Sequence, residues 1–217
     1  MTQNQQDFIA LIKPEAIKTY HKYKVLPSLT IAQAILESDW GTSILAIEAN
    51  NLFGIKWTDD SGYDYVVKQT KEYINNQWIT IDAKFRKYNS INDSIIDYAL
   101  LLQNPRYEKV LNAKDYKEAA FEVWQAGYAT DSNYPQKLIE QIEKFELYKI
   151  DNEVLSSINI KDFDQAANWA KDAIKKVIDK GIMIGDDQGF FNPLQPCTRQ
   201  ELAVIISRLL ELNNYKG

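Results

Sequence analysis

Leu26-Pro27-Ser28-Leu29-Thr30-Ile31-Ala32-Gln33-Ala34-Ile35-Leu36-Glu37-Ser38-Asp39-Trp40-Gly41 is the stretch that decides the fold. Apolar residues crowd nearly every face between the Pro27-Ser28 start signal and Gly41, so the pattern predicts a buried helix over 28–38. Glu37 stands near the end of that helix. A carboxyl there is desolvated, and burial against Trp40 raises its pKa and keeps it protonated near neutral pH, the state a general acid needs. The plainer alternative is a helix-end glutamate that caps or forms an ion pair.

Working outward, a polar, glycine-marked segment leads into 63–88. There Thr70, Glu72 and Ile74 alternate before Asn75-Asn76, and Ile79, Ile81, Ala83 and Phe85 alternate after it. Period two on both sides of a turn signal predicts a β-hairpin. Ser90 and Asp93 have the spacing of a capping box ahead of Ile91, Ile95, Ile96, Ala99 and Leu100, a helix stopped by Asn104-Pro105. Two more helical faces follow: Tyr116, Ala119, Ala120, Val123 and Trp124, ending at Gly127, and Tyr134, Leu138, Ile139, Ile142 and Phe145. On the N-terminal side only Phe8 to Ile12 stands out, as a weak apolar patch.

The periodicity lapses over 149–160, which reads as a linker between a first domain over 1–148 and a second over 161–217. The second unit offers two helices. Ala166, Trp169, Ala170, Ala173, Ile174, Val177 and Ile178 mark one, closed by Gly181; Leu202, Ile205, Ile206, Leu209 and Leu210 mark the other. Gly185-Asp186-Asp187-Gln188-Gly189 lacks the ligand spacing of an EF-hand and reads as a turn.

Composition removes several function classes. A net charge of −5 over 217 residues gives no basic footprint for nucleic acid. The single cysteine, Cys197, has no His/Cys company for a metal site or catalytic thiol and reads as a small buried residue. The single histidine, His21, lies in the polar run Tyr20-His21-Lys22-Tyr23-Lys24 and reads as a solvated ring, so Ser/His/Asp and metal-dependent chemistry both lose support. No metal or organic cofactor is expected. No run approaches the ~18 apolar residues of a membrane span, and no signal peptide is expected at the N-terminus.

The stretch 26–41, the run Asn50-Asn51-Leu52-Phe53-Gly54-Ile55-Lys56, the hairpin segments Thr70-Lys71-Glu72-Tyr73 and Ala83-Lys84-Phe85-Arg86-Lys87-Tyr88, and Gly127-Tyr128-Ala129-Thr130-Asp131-Ser132-Asn133-Tyr134 occur in order over about residues 7–148. Together they resemble the glucosaminidase domain of glycoside hydrolase family 73, used by bacterial autolysins and phage endolysins. The resemblance implies an α+β, mostly helical, lysozyme-like fold with a cleft between a helical lobe and the hairpin lobe. It assigns the general acid to Glu37 and points to Glu72 on the hairpin as second carboxylate, with Asp59, Asp60 and Asp64 as rivals. It also implies that Tyr134, Tyr128, Asn51, Phe53 and Trp57 contact substrate, although each has a competing core role. Asp39 departs from the family pattern, which has a small residue there, and its charge is expected to disturb the acid.

Over 160–201, Ile160-Lys161-Asp162-Phe163, Trp169-Ala170, Gly181-Ile182-Met183-Ile184-Gly185, Phe190-Phe191-Asn192-Pro193 and Thr198-Arg199-Gln200-Glu201 resemble an S-layer homology domain. Thr198 and Glu201 alone are explained by a capping box. The resemblance implies that Arg199, with Trp169, holds acidic secondary wall polysaccharide, since a guanidinium grips carboxylates bidentately. Such domains usually come in threes and this chain has one, so it either assembles with other chains, a homo-oligomer being the natural form, or binds weakly. The expectation is therefore a peptidoglycan hydrolase that cleaves the β-1,4 bond on the N-acetylglucosamine side. Muramidase, lytic transglycosylase and non-catalytic wall-binding protein are the alternatives. It would accumulate in the cytoplasm for release to the wall, as an endolysin does, or act outside as an autolysin.

Overall fold

The computed structural model of the protein describes residues 1–74, 77–158, 160–180, 182–186 and 188–214. Thr2 opens the first helix, α1 (Gln3–Tyr23), with a capping box in which its hydroxyl accepts from the Gln5 N–H and the Gln5 side chain accepts from its own. Phe8, Ile12, Ala16 and Tyr20 recur every four residues and are buried, so the weak apolar patch is part of a 21-residue helix. His21 is half-buried rather than solvated, with its ring edge-on to Tyr20 at 5.7 Å.

The helix α2 (Pro27–Ser38) follows after a left-handed Lys24, with Pro27 in its first turn, where a missing N–H costs nothing. Only Leu36 and Glu37 of its twelve residues are not buried. It packs against α1 and, further along the chain, against α6 (Tyr116–Gln125) and α7 (Tyr134–Lys144). Between them lie α3 (Ile44–Ala49), the hairpin strands β1 (Asp64–Ile74) and β2 (Gln77–Lys87), α4 (Ile91–Leu101), which lies on α1, and the short α5 (Glu108–Leu111). The fully buried Ile12, Leu29, Ile31, Ile95, Leu138 and Ile142 form the shared core, each contributing about 1.5–3 kcal/mol by leaving water.

The strands are antiparallel, with Glu72 opposite Ile79 and Tyr65 opposite Arg86; the expected turn Asn75-Asn76 lies outside the described residues. The base of the hairpin is tied down on two sides. Residues 49–57 run beside β2: the Arg86 N–H donates to Ile55 O, the Trp57 N–H to Lys84 O and the Tyr88 N–H to Ala49 O, at 2.9–3.0 Å. On the other side Arg86 Nη1 lies 2.9 and 2.8 Å from the two oxygens of buried Asp97 on α4, and the Tyr88 hydroxyl donates to the same carboxylate at 2.6 Å. A buried carboxylate with three such contacts is compensated rather than stranded.

The chain divides into compact units at Met1–Asp151 and Asn152–Gly217. The segment expected as a linker over 149–160 contains instead a helix, α8 (Tyr148–Ile158), in which Ile150, Asp151 and Val154 are buried. Its apolar residues have helical spacing, but the polar Asp151-Asn152-Glu153 between them hides it. In the second unit α9 (Asn168–Asp179) starts after Ala166, and α10 (Arg199–Asn214) is opened by Thr198. Asp162, 3% exposed, accepts the N–H groups of Phe191 and Asn192 at 2.8 Å each and holds that loop. One expectation fails here: Cys197 is exposed. The expected second helix is present, with Leu202, Ile206, Leu209 and Leu210 exposed on it, and among the described residues the buried apolar side chains of this unit are Val154, Ala166, Ile178 and Ile182.

Candidate active site

Glu37 is placed by the way α2 ends. Asp39, Trp40 and Gly41 are all left-handed, with φ of 49°, 60° and 76°, which turns the chain sharply one residue after Ser38. For the two non-glycine residues this backbone costs about 1–2 kcal/mol each. Local bonds hold it: the Ser38 hydroxyl donates to Ala34 O and accepts the Gly41 N–H at 2.8 Å, and the Ser43 N–H donates to Ser38 O at 2.9 Å. Trp40 is wedged edge-on between Phe8 and Phe145, with centroids 6.0 and 4.9 Å away. It is thus an anchor of the turn, and the groups gathered around Glu37 are tyrosines.

The Tyr134 hydroxyl, at the start of α7, donates to Glu37 Oε1 at 2.7 Å and accepts from Gln33 Nε2 at 3.0 Å. Gln33 lies one helical turn before Glu37 and is wholly buried, and its Oε1 accepts a hydrogen bond from Tyr98 on α4. Tyr128 stacks on Tyr134 at 6.1 Å and meets Tyr98 edge-on at 6.3 Å. Burial pushes the hydroxyls of Tyr98, Tyr128 and Tyr134 above the usual tyrosine range, and the charge of Glu37 adds to the rise in all three. They therefore remain neutral donors.

Glu37 itself is solvent-accessible, as a group that must meet a ligand has to be. Desolvation by the protein beside it raises its pKa above the ordinary glutamate value, and the Tyr134 hydrogen bond pulls the other way. Asp39 is not among the causes. It is exposed, and the Thr42 hydroxyl donates to its backbone oxygen at 2.6 Å. An accessible carboxyl held by one donor and protonated above the normal range is suited to general acid catalysis.

The other expected site residues separate. Asn51 is 1% exposed; its amide donates to Ile55 O and Arg86 O and accepts the Ile55 N–H, so it locks the loop to β2 and presents nothing outward. Phe53 is buried and stacked on Tyr98 at 4.1 Å, supporting a tyrosine of the site from behind. Trp57 donates its indole N–H to Tyr63 O at 2.7 Å and packs its ring under Lys84 Nζ at 4.6 Å. Glu72 stands on β1, and its side chain lies outside the described residues. Asp59, Asp60 and Asp64 are exposed before or at the start of β1. Gln33 and Tyr98 join the site without having been expected there, and the one signal in the sequence is a single amide in an otherwise apolar helical run. Among the described residues no group of three His, Cys, Asp or Glu side chains is arranged to hold a metal ion.

In the second unit the capping box is present, with the Thr198 N–H donating to Glu201 Oε2 at 2.7 Å and the Glu201 N–H to the Thr198 hydroxyl at 3.2 Å. Arg199, first residue of α10, is exposed, and Trp169 is 87% exposed. Asp186 accepts the N–H groups of Gln188 and Phe190, as a turn requires.

Residues 13–147 match the glucosaminidase family described as mannosyl-glycoprotein endo-beta-N-acetylglucosaminidase, and residues 159–203 match the S-layer homology domain. The chain is 44% identical over 179 residues to exo-glucosaminidase LytG of Bacillus subtilis, covering 77% of this chain and 63% of that one. It is 38% identical to a protein of Lactococcus lactis named a probable N-acetylmuramidase, over 69% of this chain and 36% of the relative. It therefore spans less than two thirds of each. Among solved structures, the catalytic domain of the autolysin Auto from Listeria monocytogenes is similar with a TM-score of 0.63 and 38% identity, covering 69% of this chain and 89% of that domain.

Proposed function

The chain belongs to the glucosaminidase family, with an S-layer homology domain following in the sequence, and on that premise we propose that it hydrolyses peptidoglycan at the β-1,4 bond on the N-acetylglucosamine side. The observation that carries the reading is Glu37: accessible, raised in pKa by desolvation, and fixed through Oε1 by Tyr134. Glu37 gives its proton to the glycosidic oxygen as that bond breaks. Glu72, or the acetamido oxygen of the substrate itself, meets the positive charge developing at the anomeric carbon, and water completes the hydrolysis. Tyr128 and Trp57 are candidates to line the sugar's path, each with part of its surface open.

Glu37→Gln tests the reading on purified cell walls. Removing the transferable proton is expected to lower the rate by about 10²–10⁴-fold with circular dichroism unchanged. A rate within a few-fold of wild type would rule Glu37 out. Glu72→Gln is expected to be harmful but less complete, and an Asp64→Asn variant that proves worse would move the second role to Asp64.

A muramidase on the same fold is the second reading, favoured by the Lactococcus relative's name, since fold does not fix which bond meets the acid. The S-layer homology domain associates the protein with the cell wall. There, exposed Arg199 and Trp169 are proposed to hold acidic wall polysaccharide by a charge-assisted grip and an aromatic face. The uncovered apolar residues of α10 support a homo-oligomer formed through this unit. Sedimentation of the full chain as a monomer at micromolar concentration would exclude it.

A further inference from the structure

The hydrogen bonds behind Glu37 all run in one direction. Tyr98 donates to Gln33 Oε1, Gln33 Nε2 donates to the Tyr134 oxygen at 3.0 Å, and Tyr134 donates to Glu37 Oε1 at 2.7 Å. The direction follows from counting hydrogens. A tyrosine hydroxyl has one, and an amide has a donor end and an acceptor end. Turned over, Gln33 would present its oxygen to Tyr134, whose single hydrogen would then be claimed by both Gln33 and Glu37. One buried acceptor would go unsatisfied, at about 1–3 kcal/mol. Only the observed orientation satisfies every group while Glu37 accepts.

From this geometry we infer that Gln33 and Tyr98 are positioning residues that make Tyr134 an obligate donor to Oε1 of Glu37, so that the acid proton resides on Oε2. The inference rests on Glu37 being the general acid. Gln33 and Tyr98 are wholly buried, out of reach of a ligand in the cleft, and act through Tyr134. Without them the Tyr134 oxygen is free to accept. The Glu37 proton then has a competing site on Oε1, hydrogen-bonded to Tyr134 and turned away from the glycosidic oxygen. Tyr134, no longer polarised by a donor at its oxygen, also stabilises the carboxylate less, while the arrangement in which it accepts stabilises the protonated acid, so Glu37 releases its proton at higher pH.

The test uses the full chain with Tyr98→Phe, which keeps the ring that Phe53 stacks on, and with Gln33→Met, which keeps the length of the amide. Two readouts are compared with wild type: kcat and KM on purified peptidoglycan across pH, and the titration of the Glu37 carboxyl by carbon NMR, assigned against Glu37→Gln. Both variants are expected to lose about tenfold in kcat, the worth of one hydrogen bond, with KM within about twofold. The alkaline limb of the rate profile and the Glu37 titration should move together to higher pH. A folded variant with unchanged kcat and an unchanged titration overturns the inference. Should wild type fail to cleave peptidoglycan while the titration still moves, the enzymatic reading fails and the relay stands.

Discussion

Asp151 gives the chain a pH-dependent stability that can be worked out in advance. The residue is 4% exposed and accepts both the N–H of Ser28, at 2.8 Å, and its hydroxyl, so it caps the start of the helix that carries Glu37. Desolvation pushes its pKa up to about 6 from the ordinary 3.8, against the pull of the two Ser28 hydrogen bonds. A carboxyl whose folded pKa is raised favours the folded state while protonated. The contribution is fully present below about pH 3.8 and is lost as pH rises through about 6. A shift of this size corresponds to about 3 kcal/mol, most of it given up between about pH 4 and 6. An Asp151→Asn variant would mimic the protonated form at every pH. The assay is urea unfolding of both full-length proteins at a series of pH values, followed by tryptophan fluorescence. The two should be close in stability near about pH 4, and the variant should lead by about 3 kcal/mol near about pH 7.5. If the variant is instead the less stable protein at that higher pH, the ionised carboxylate is a net stabiliser of the helix start and the desolvation argument is wrong.

Two further outcomes rest on single residues. Gly41→Ala places a Cβ 2.7 Å from the Phe8 ring at a φ of +76°, and should lower stability by about 2–4 kcal/mol in thermal unfolding; a shift below about half a kcal/mol would mean the turn after Glu37 is far softer than its bonds imply. Arg199→Ala should reduce pelleting with whole walls and leave hydrolysis of small soluble glycan unchanged, whereas undiminished pelleting would leave 198–201 as a helix cap only.

What the sequence made legible was local. The helix 28–38, the hairpin, and the helices beginning near Ile91, Tyr116 and Tyr134 all follow from apolar period and terminal signals within one short window. The first helix is hidden because its buried residues are spaced four apart among glutamines and lysines, with Pro14 inside it. Within its own helix Glu37 also reads as a cap or ion-pair partner, and it is the family resemblance that assigns it as the acid. The hydrogen bonds that fix it are not legible in that window, since Tyr134 lies 97 positions away and Tyr98 reaches the site only through Gln33. Asn51 shows the converse. An asparagine in a motif looks like a ligand contact until its amide is found bonded on three sides by backbone. For α10 the period correctly marks an apolar face, but no period states whether the same chain supplies its cover.

Whether Glu37 protonates the oxygen on the anomeric side of N-acetylglucosamine is read from the ends of the products, by digestion of purified peptidoglycan, reduction with borohydride and mass spectrometry of the reduced ends. Hydrolysis at the proposed bond leaves fragments that all end in reduced N-acetylglucosamine, and that signal should vanish in Glu37→Gln. Fragments ending in reduced N-acetylmuramic acid, or in an anhydro sugar that takes up no hydride, would rule out cleavage at the proposed bond and make the same carboxyl the acid of a muramidase or a transglycosylase.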